Sequence, residues 1–256
     1  MELDGAPAGI GQVQALATGN YGHFTTMIVG RGRVRGLSLH LARLAADCRE
    51  VFGTELDLDR VRGHVRDAVG GADEPVVVRA TVFDPELGIG DLAGRARPRV
   101  LVTTRPAARA EPRPWRLHAV EYRREEPRIK HVGLFGALRR RREAQRRGFD
   151  DALFTDRGAL CELTTSNIGL VRGDRVVWPD AECLPGVTMS LLRQAEPAEA
   201  ESVHLADLSE VDAVFATNAA TGLRPITAID SRRWPATHPV LDRLRAAYAA
   251  IPGEEL

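Results

Sequence analysis

Hydrophobic positions along this chain follow two rhythms, one of three to four residues and one of two. Leu37, Leu41, Leu44, Cys48 and Val51 recur at the spacing of a single helix face, with Ser38 placed to cap the helix and Gly53 to end it. Leu58, Val61, Val65 and Ala68 predict a second amphipathic helix over 57–69, stopped by Gly70-Gly71. Tyr21–Val29 predicts a turn into a strand, a basic turn runs from Gly30 to Gly36, and the β-branched runs Pro75–Phe83 and Val100–Thr104 predict further strands. The Gly-rich stretch Asp84–Pro98 predicts a loop.

Arg105–Pro114 is rich in Pro, Ala and Arg, a linker composition that marks a boundary. It divides the chain into a small N-terminal α/β domain, 1–108, and a larger C-terminal domain, 109–256, which carries Lys130. Past the boundary the pattern predicts a strand at Trp115–Tyr122. A helix follows over Gly133–Gly148, with Leu134, Ala137 and Leu138 inward and its arginines outward. Short strands come next at Ala152–Thr155, Ala159–Glu162, Ile168–Val171 and Arg175–Trp178. A helix at Met189–Gln194, strands at Val211–Thr217 and Leu223–Ile229 and a helix at Pro239–Ala250 complete the series. The mixture is α/β with both helices and strands in each half.

Composition narrows the function classes. At 256 residues and 44% hydrophobic, the chain has material for one large or two modest domains. Formal charge is zero, which speaks against nucleic acid or an anionic membrane as a partner. The basic run Arg139–Arg142 reads as a solvated helix face, since no aromatic residues are interleaved with it. No apolar run has membrane-spanning length, and Met1-Glu2-Leu3-Asp4-Gly5 lacks the marks of a secretion leader. Cys48, Cys161 and Cys183 are far apart and odd in number, as in reduced proteins, so a cytoplasmic location is expected. His23, His40 and His131 lack the close spacing of metal ligands, and no metal is expected.

One residue changes the picture. Lys130 is the only lysine, against 34 arginines. Arginine replaces lysine as a surface cation but not as an amine that must lose its proton and attack a carbonyl. With Lys130 come a carboxylate leaving a strand, Glu162, and two turns rich in Gly, Thr and Asn, Pro185–Thr188 and Thr217–Gly222. Turns of that kind expose N–H groups that bind phosphate, at least where they lead into a helix. An amine, an acid and a phosphate cradle are the protein parts that pyridoxal phosphate requires.

The residues themselves carry a resemblance. His40-Leu-Ala-Arg43-Leu44, Ile129-Lys130-His131, Gly148–Asp156, Leu160-Cys-Glu162-Leu-Thr-Thr-Ser-Asn167, Leu184-Pro-Gly186-Val187-Thr188 and Asn218-Ala219 with Pro225-Ile226 stand in the order seen in the aminotransferase class IV family. The chain resembles that family from about Tyr21 to Ile229. The resemblance implies the two-domain pyridoxal phosphate fold type IV, with the cofactor between a small and a larger domain, and a homodimer. It implies Lys130 as the Schiff-base lysine, Glu162 as partner of the pyridine nitrogen and Arg43 as a bidentate phosphate ligand. Val187, Thr188, Asn218 and Ala219 would add phosphate donors.

Some positions depart from the family. Phe135 stands where branched-chain aminotransferases carry a tyrosine, Leu163 where a glycine follows the glutamate, Met189 where an arginine is usual, and Ala219 where a threonine is common. Phe24-Thr25-Thr26, Ile129-Lys130-His131 and Asn218-Ala219 resemble the lyase branch more than the transaminase branch. The expected activity is amino transfer between an amino acid and a keto acid. The alternative is an aminodeoxychorismate lyase that releases pyruvate to form 4-aminobenzoate, and a third reading is a non-catalytic binding descendant. Substrate contacts are expected from the loops Asp84–Pro98 and Ala107–Pro114. Arg79, on a predicted strand, reads either as a substrate carboxylate ligand or as a structural strand-face arginine.

Overall fold

Valine-rich segments become strands where the two-residue period places them, and the helical stripes pack against them. The computed structural model describes residues 1–108 and 110–256. Arg109, the first residue of the expected C-terminal domain, lies outside the described residues. The chain forms two units: Met1–Ala107 with Ile129–Gly133 and Pro252–Leu256, and Ala108–Arg128 with Leu134–Ile251.

In the first unit, β1 (Glu2–Leu3), β2 (Ala6–Pro7) and α1 (Ile10–Gly19) precede β3 (His23–Val29) and β4 (Arg33–Val34). Then come α2 (Leu37–Phe52), α3 (Leu58–Val69), β5 (Val76–Phe83) and β6 (Arg99–Pro106). The sheet order is β2-β1-β6-β5-β3, antiparallel throughout. One face carries Met27, Val29, Val78, Ala80, Val82, Val100 and Val102, and it buries the Leu37–Leu41–Leu44–Cys48 stripe of α2 with Val61 and Val65 of α3. Fully burying one such aliphatic side chain stabilises the fold by about 1.5–3 kcal/mol. By strand alternation, His23 and Thr25 share that face, whereas Phe24, Thr26, Arg79 and Thr81 lie on the other.

Helix α2 starts two residues earlier than a Ser38 cap implies and is capped differently. Gly36 is the N-cap, with φ of 69°, a left-handed conformation that favours glycine. Ser38 lies inside the helix, and its N–H and hydroxyl donate to the Glu254 carboxylate at 2.9 and 3.2 Å. An acid from the C-terminal strand Glu254–Glu255, which pairs with β4, therefore does the capping.

The Lys130 segment joins this unit rather than the C-terminal one. Phe24 N–H donates to the Lys130 carbonyl at 2.9 Å, Val132 N–H donates to Gly22 O at 2.9 Å, and His23 bridges His131. Residues 130–132 thus extend the sheet beyond its edge strand β3.

The second unit comprises β7 (Trp115–Glu121), α4 (Phe135–Arg146), β8 (Asp151–Asp156), β9 (Ala159–Leu163), β10 (Asn167–Arg172) and β11 (Arg175–Pro179). It continues with α5 (Val187–Ala195), β12 (Ala198–Glu201), β13 (Ala213–Asn218), β14 (Gly222–Ile229), β15 (Arg232–Arg233) and α6 (Pro239–Ala250). The main sheet runs β12-β11-β10-β13-β14-β7-β8-β9, and β9 returns to β10 through the pair Glu162–Asn167. Six strands thereby close on themselves, and Glu162 stands at the closure.

Helix α4 corrects the inward and outward assignment. Ala137 and Ala144 are buried, while Leu138 is 47% and Phe135 77% exposed. Arg141 does not point simply to solvent: its Nε and Nη2 bond the fully buried Asp151 carboxylate at 2.9 and 2.6 Å. The expected linker also loses Arg105 and Pro106 to β6, where they pair with Val77 and Val76. Among the described residues, no helix is long and apolar enough to cross a membrane.

Candidate active site

In the first unit, α2 sets His40, Arg43 and Asp47 three and four residues apart, on a stripe beside its apolar one. Arg43 Nη2 donates to Thr25 Oγ1 at 2.6 Å, and the Thr25 hydroxyl lies 2.7 Å from His40 Nδ1. Arg43 Nη2 is also 3.5 Å from that nitrogen, so Nδ1 is the acceptor and the imidazole is neutral. Its pKa is pushed down to about 3, first by burial and then by the charges of Arg43 and Lys130. The Arg43 pKa falls to about 10 through burial, against the opposing pull of Asp47, so the guanidinium stays a cation at neutral pH. Its Nε is buried without a hydrogen-bond partner.

Lys130 is fixed through its backbone: its N–H donates to Asp47 Oδ2 at 3.1 Å and its carbonyl accepts from Phe24. Its Nζ lies 5.0 Å from the centroid of the Phe24 ring, over which the Arg79 guanidinium stacks at 3.6 Å. Arg79 Nε also donates to Thr81 Oγ1 at 3.3 Å, and burial lowers its pKa. His23, on β3, is buried with neither ring nitrogen hydrogen-bonded, and burial takes its pKa down to about 4.

In the second unit, Glu162 is buried on β9. Its Oε1 accepts from Arg124 Nε at 3.0 Å and its Oε2 from Leu184 N–H at 3.2 Å. Leu184 is itself held, its carbonyl accepting from Asn167 Nδ2 at 2.7 Å. A Cβ on Gly186 would lie 2.0 Å from Asn167 Oδ1, so only glycine fits that close approach. Gly186 is the N-cap of α5, which turns the first N–H groups of the helix, at Val187 and Thr188, outward from its positive end. Thr188 Oγ1 is buried without a partner, and so is Thr217 Oγ1 at the end of β13.

The second turn joins β13 to β14, in line with the extended stretch expected at Leu223–Ile229. Asn218 Oδ1 accepts from the N–H groups of Ala220 and Thr221 at 3.0 and 2.9 Å, and Asn218 Nδ2 donates to Ser166 Oγ at 2.8 Å. The turn therefore leads into β14, and the Asn218 side chain builds the turn instead of being presented as a donor.

Of the sequence-predicted residues, Arg43 and Lys130 belong to the first unit and Glu162, Val187, Thr188, Asn218 and Ala219 to the second. Sequence reasoning missed Asp47 and Arg124, and it named Thr25, Asn167 and Thr217 only within motifs, without a role of their own. Only Asp47 left a local trace, its spacing of four residues from Arg43. The residues present fit pyridoxal phosphate: a buried cation with an unpartnered Nε and two buried hydroxyls without partners suit a phosphate, and a carboxylate held as an anion suits a protonated ring nitrogen.

Comparison with known proteins agrees with this chemistry. The sequence pattern of the amino-transferase class IV family matches residues 22–229. A branched-chain-amino-acid aminotransferase-like protein 2 from Arabidopsis thaliana is 30% identical over 135 residues, covering 49% of this chain and 24% of that protein. The chain thus spans about a quarter of that relative. An aminotransferase from Brucella abortus, solved with pyridoxal phosphate bound, superposes with a TM-score of 0.78 at 26% identity, covering 89% of this chain and 88% of that one. A candidate 4-amino-4-deoxychorismate lyase from Legionella pneumophila superposes with a TM-score of 0.81 at 23% identity, covering 96% of each chain. The fold is the mixed α/β fold these enzymes share.

Proposed function

Because the chain belongs to the aminotransferase class IV family, we propose that it is a pyridoxal-phosphate-dependent aminotransferase that moves an amino group between an amino acid and a keto acid. The observation that carries this reading is the set of buried polar atoms left without partners, Arg43 Nε, Thr188 Oγ1 and Thr217 Oγ1, at or next to the positions assigned to phosphate. Unspent buried donors are costly, and a bound anion is the kind of group that relieves them.

Bound pyridoxal phosphate supplies an aldehyde for the amino group and a ring that accepts the electron pair left by the departing Cα proton. Lys130 would provide the amine that bonds the cofactor and the base that moves the Cα proton. Asp47 and Phe24 hold the Lys130 backbone, so the amine swings on a fixed stem. Arg43 would hold the phosphate as a cation whose Nη2 is anchored on Thr25, leaving Nε without a partner. Val187 and Thr188 add the α5 N–H groups and the Thr188 hydroxyl. At the Thr217–Gly222 turn, the Thr217 hydroxyl and the backbone of Asn218 and Ala219 serve the phosphate, since the Asn218 side chain is committed. Glu162 accepts the ring N–H. Arg79, half-buried against Phe24, is suited to a substrate carboxylate.

The protein is also proposed to act in the cytoplasm as a homodimer, which sedimentation of the purified protein tests. The activity is tested by mixing the cofactor-loaded protein with D- and L-amino acids and following cofactor absorbance. Conversion to the amine form of the cofactor, with release of a keto acid, supports amino transfer. Turnover of aminodeoxychorismate without that conversion overturns it in favour of the lyase.

A further inference from the structure

The Glu162 carboxylate and the Arg124 guanidinium form a buried pair, each side chain only 8% exposed. A lone carboxylate so removed from water takes up a proton, because desolvation penalises the charged form. A neutral acid at that position could not stabilise a protonated ring nitrogen. The Arg124 guanidinium, a cation held 3.0 Å from Glu162 Oε1, is the contact that compensates a carboxylate charge at this position.

The geometry also sets the aim of the carboxylate. Arg124 takes Oε1 and the Leu184 N–H takes Oε2, so the carboxylate plane is held at both ends. An ionised carboxylate offers about four lone-pair sites, so acceptor capacity remains on both oxygens. Arg124 makes another contact, from Nη2 to the Pro127 carbonyl. Glu126, with φ of 41°, is in the left-handed region, and the turn it makes brings that carbonyl back to the guanidinium. The loop that ends at Arg128 is thus wound around one arginine.

Other groups that sense this pair do not titrate near neutrality. Burial pushes Cys161 and Cys183 up to about 11 and raises Tyr122 above its ordinary value; Glu125 and Arg140 are the remaining charges acting on Tyr122 beside the pair.

We propose that Arg124 is a positioning residue that holds Glu162 ionised and oriented, and through Glu162 sets how strongly the cofactor's ring system keeps its protons. The inference rests on the pyridoxal phosphate reading and on Glu162 as the partner of the ring nitrogen. It assigns Arg124 no contact with substrate or cofactor.

The test reads the pH midpoint of the bound cofactor's visible band in wild type, E162Q, R124Q, R124K and the double variant E162Q/R124Q. Removing the Arg124 charge is expected to raise the midpoint by about one pH unit, a tenfold change in proton affinity. R124K, which keeps the charge but not the fork, is expected to keep the wild-type midpoint while binding pyridoxal phosphate more weakly. In the E162Q background, R124Q is expected to move the midpoint only slightly, because its effect passes through Glu162. Equal shifts in both backgrounds overturn the proposal, as does a normal midpoint in R124Q. If R124Q does not fold, R124K and the double variant still decide: a midpoint in R124K displaced as far as that of E162Q, or one in the double variant well away from that of E162Q, overturns it. A wild type that takes up no cofactor, or an E162Q variant with an unchanged midpoint, overturns the underlying reading as well. A midpoint moved by E162Q but not by R124Q removes Arg124 alone.

Discussion

Two arginines, Arg43 and Arg124, are both drawn out of water, yet their partners differ in kind. Arg43 hydrogen-bonds a neutral group, the Thr25 hydroxyl with His40 behind it, feels the charge of Asp47, and keeps a buried Nε without a partner. Arg124 is spent on an internal anion, Glu162, and on the Pro127 carbonyl. A cation with a donor left over is built for an anion from outside. A cation committed at Nε and Nη2 to groups of its own unit is suited instead to holding an internal acid in place. Identical side chains therefore take opposite roles, and the hydrogen-bond inventory separates them where residue type does not.

The comparison can be broken most strongly at Arg124. Arg124→Ala leaves Glu162 buried and unpaired, and the loss should be about 3–5 kcal/mol of stability, read by urea denaturation. A variant as stable as wild type would show that the pair is not what holds that region. Arg43→Ala should behave differently, weakening pyridoxal phosphate binding by about 2–5 kcal/mol while costing the cofactor-free protein much less stability. Unchanged cofactor affinity would remove Arg43 from the site.

Acid sharpens the contrast, because the Arg43 cluster depends on a neutral base. His40 and His23 have folded-state pKa values of about 3 and about 4, below the ordinary 6.5. The unfolded chain then binds more protons, so their stabilisation is present above pH 6.5 and is lost as the pH falls, down to about 4 for His23 and about 3 for His40. Each histidine costs about 1.4 kcal/mol per pH unit in that window, roughly 2 kcal/mol between pH 6.5 and 5. His40→Gln should flatten the stability profile there by its share, and an unaltered slope would contradict a buried neutral imidazole. The smallest expected effect is that of Gly186→Ala. The added Cβ pushes Asn167 aside at a cost of about 1–3 kcal/mol, measured by thermal unfolding.

What was legible in the sequence was local or ordered. The helices over Leu37–Phe52 and Leu58–Val69 follow from stripes of apolar residues, and the Gly186-Val187-Thr188 turn follows from its own composition. Lys130 stood out because a single lysine among arginines needs a reason. What was not legible depends on register between distant segments. Arg124 meets Glu162 across 38 positions, and Thr25 meets Arg43 across 18. Nothing within the run Arg123-Arg124-Glu125-Glu126 sets one arginine apart from the other. Ser38 was read as a cap because its local pattern allows it, but the left-handed Gly36 and the remote Glu254 took that place. Leu138 was read as inward from helical period alone, and the face of α4 that packs is set by Ala137 and Ala144 instead.

The central claim is that Lys130 bonds the cofactor, and substitution by arginine tests it most directly, because charge is kept and the amine is lost. Wild-type protein mixed with pyridoxal phosphate should develop a visible band that borohydride reduction fixes covalently to the peptide containing Lys130. The Lys130→Arg variant should show neither the band nor any turnover. A Lys130→Arg protein that retains measurable amino transfer, or a reduced cofactor found on another residue, would contradict the account.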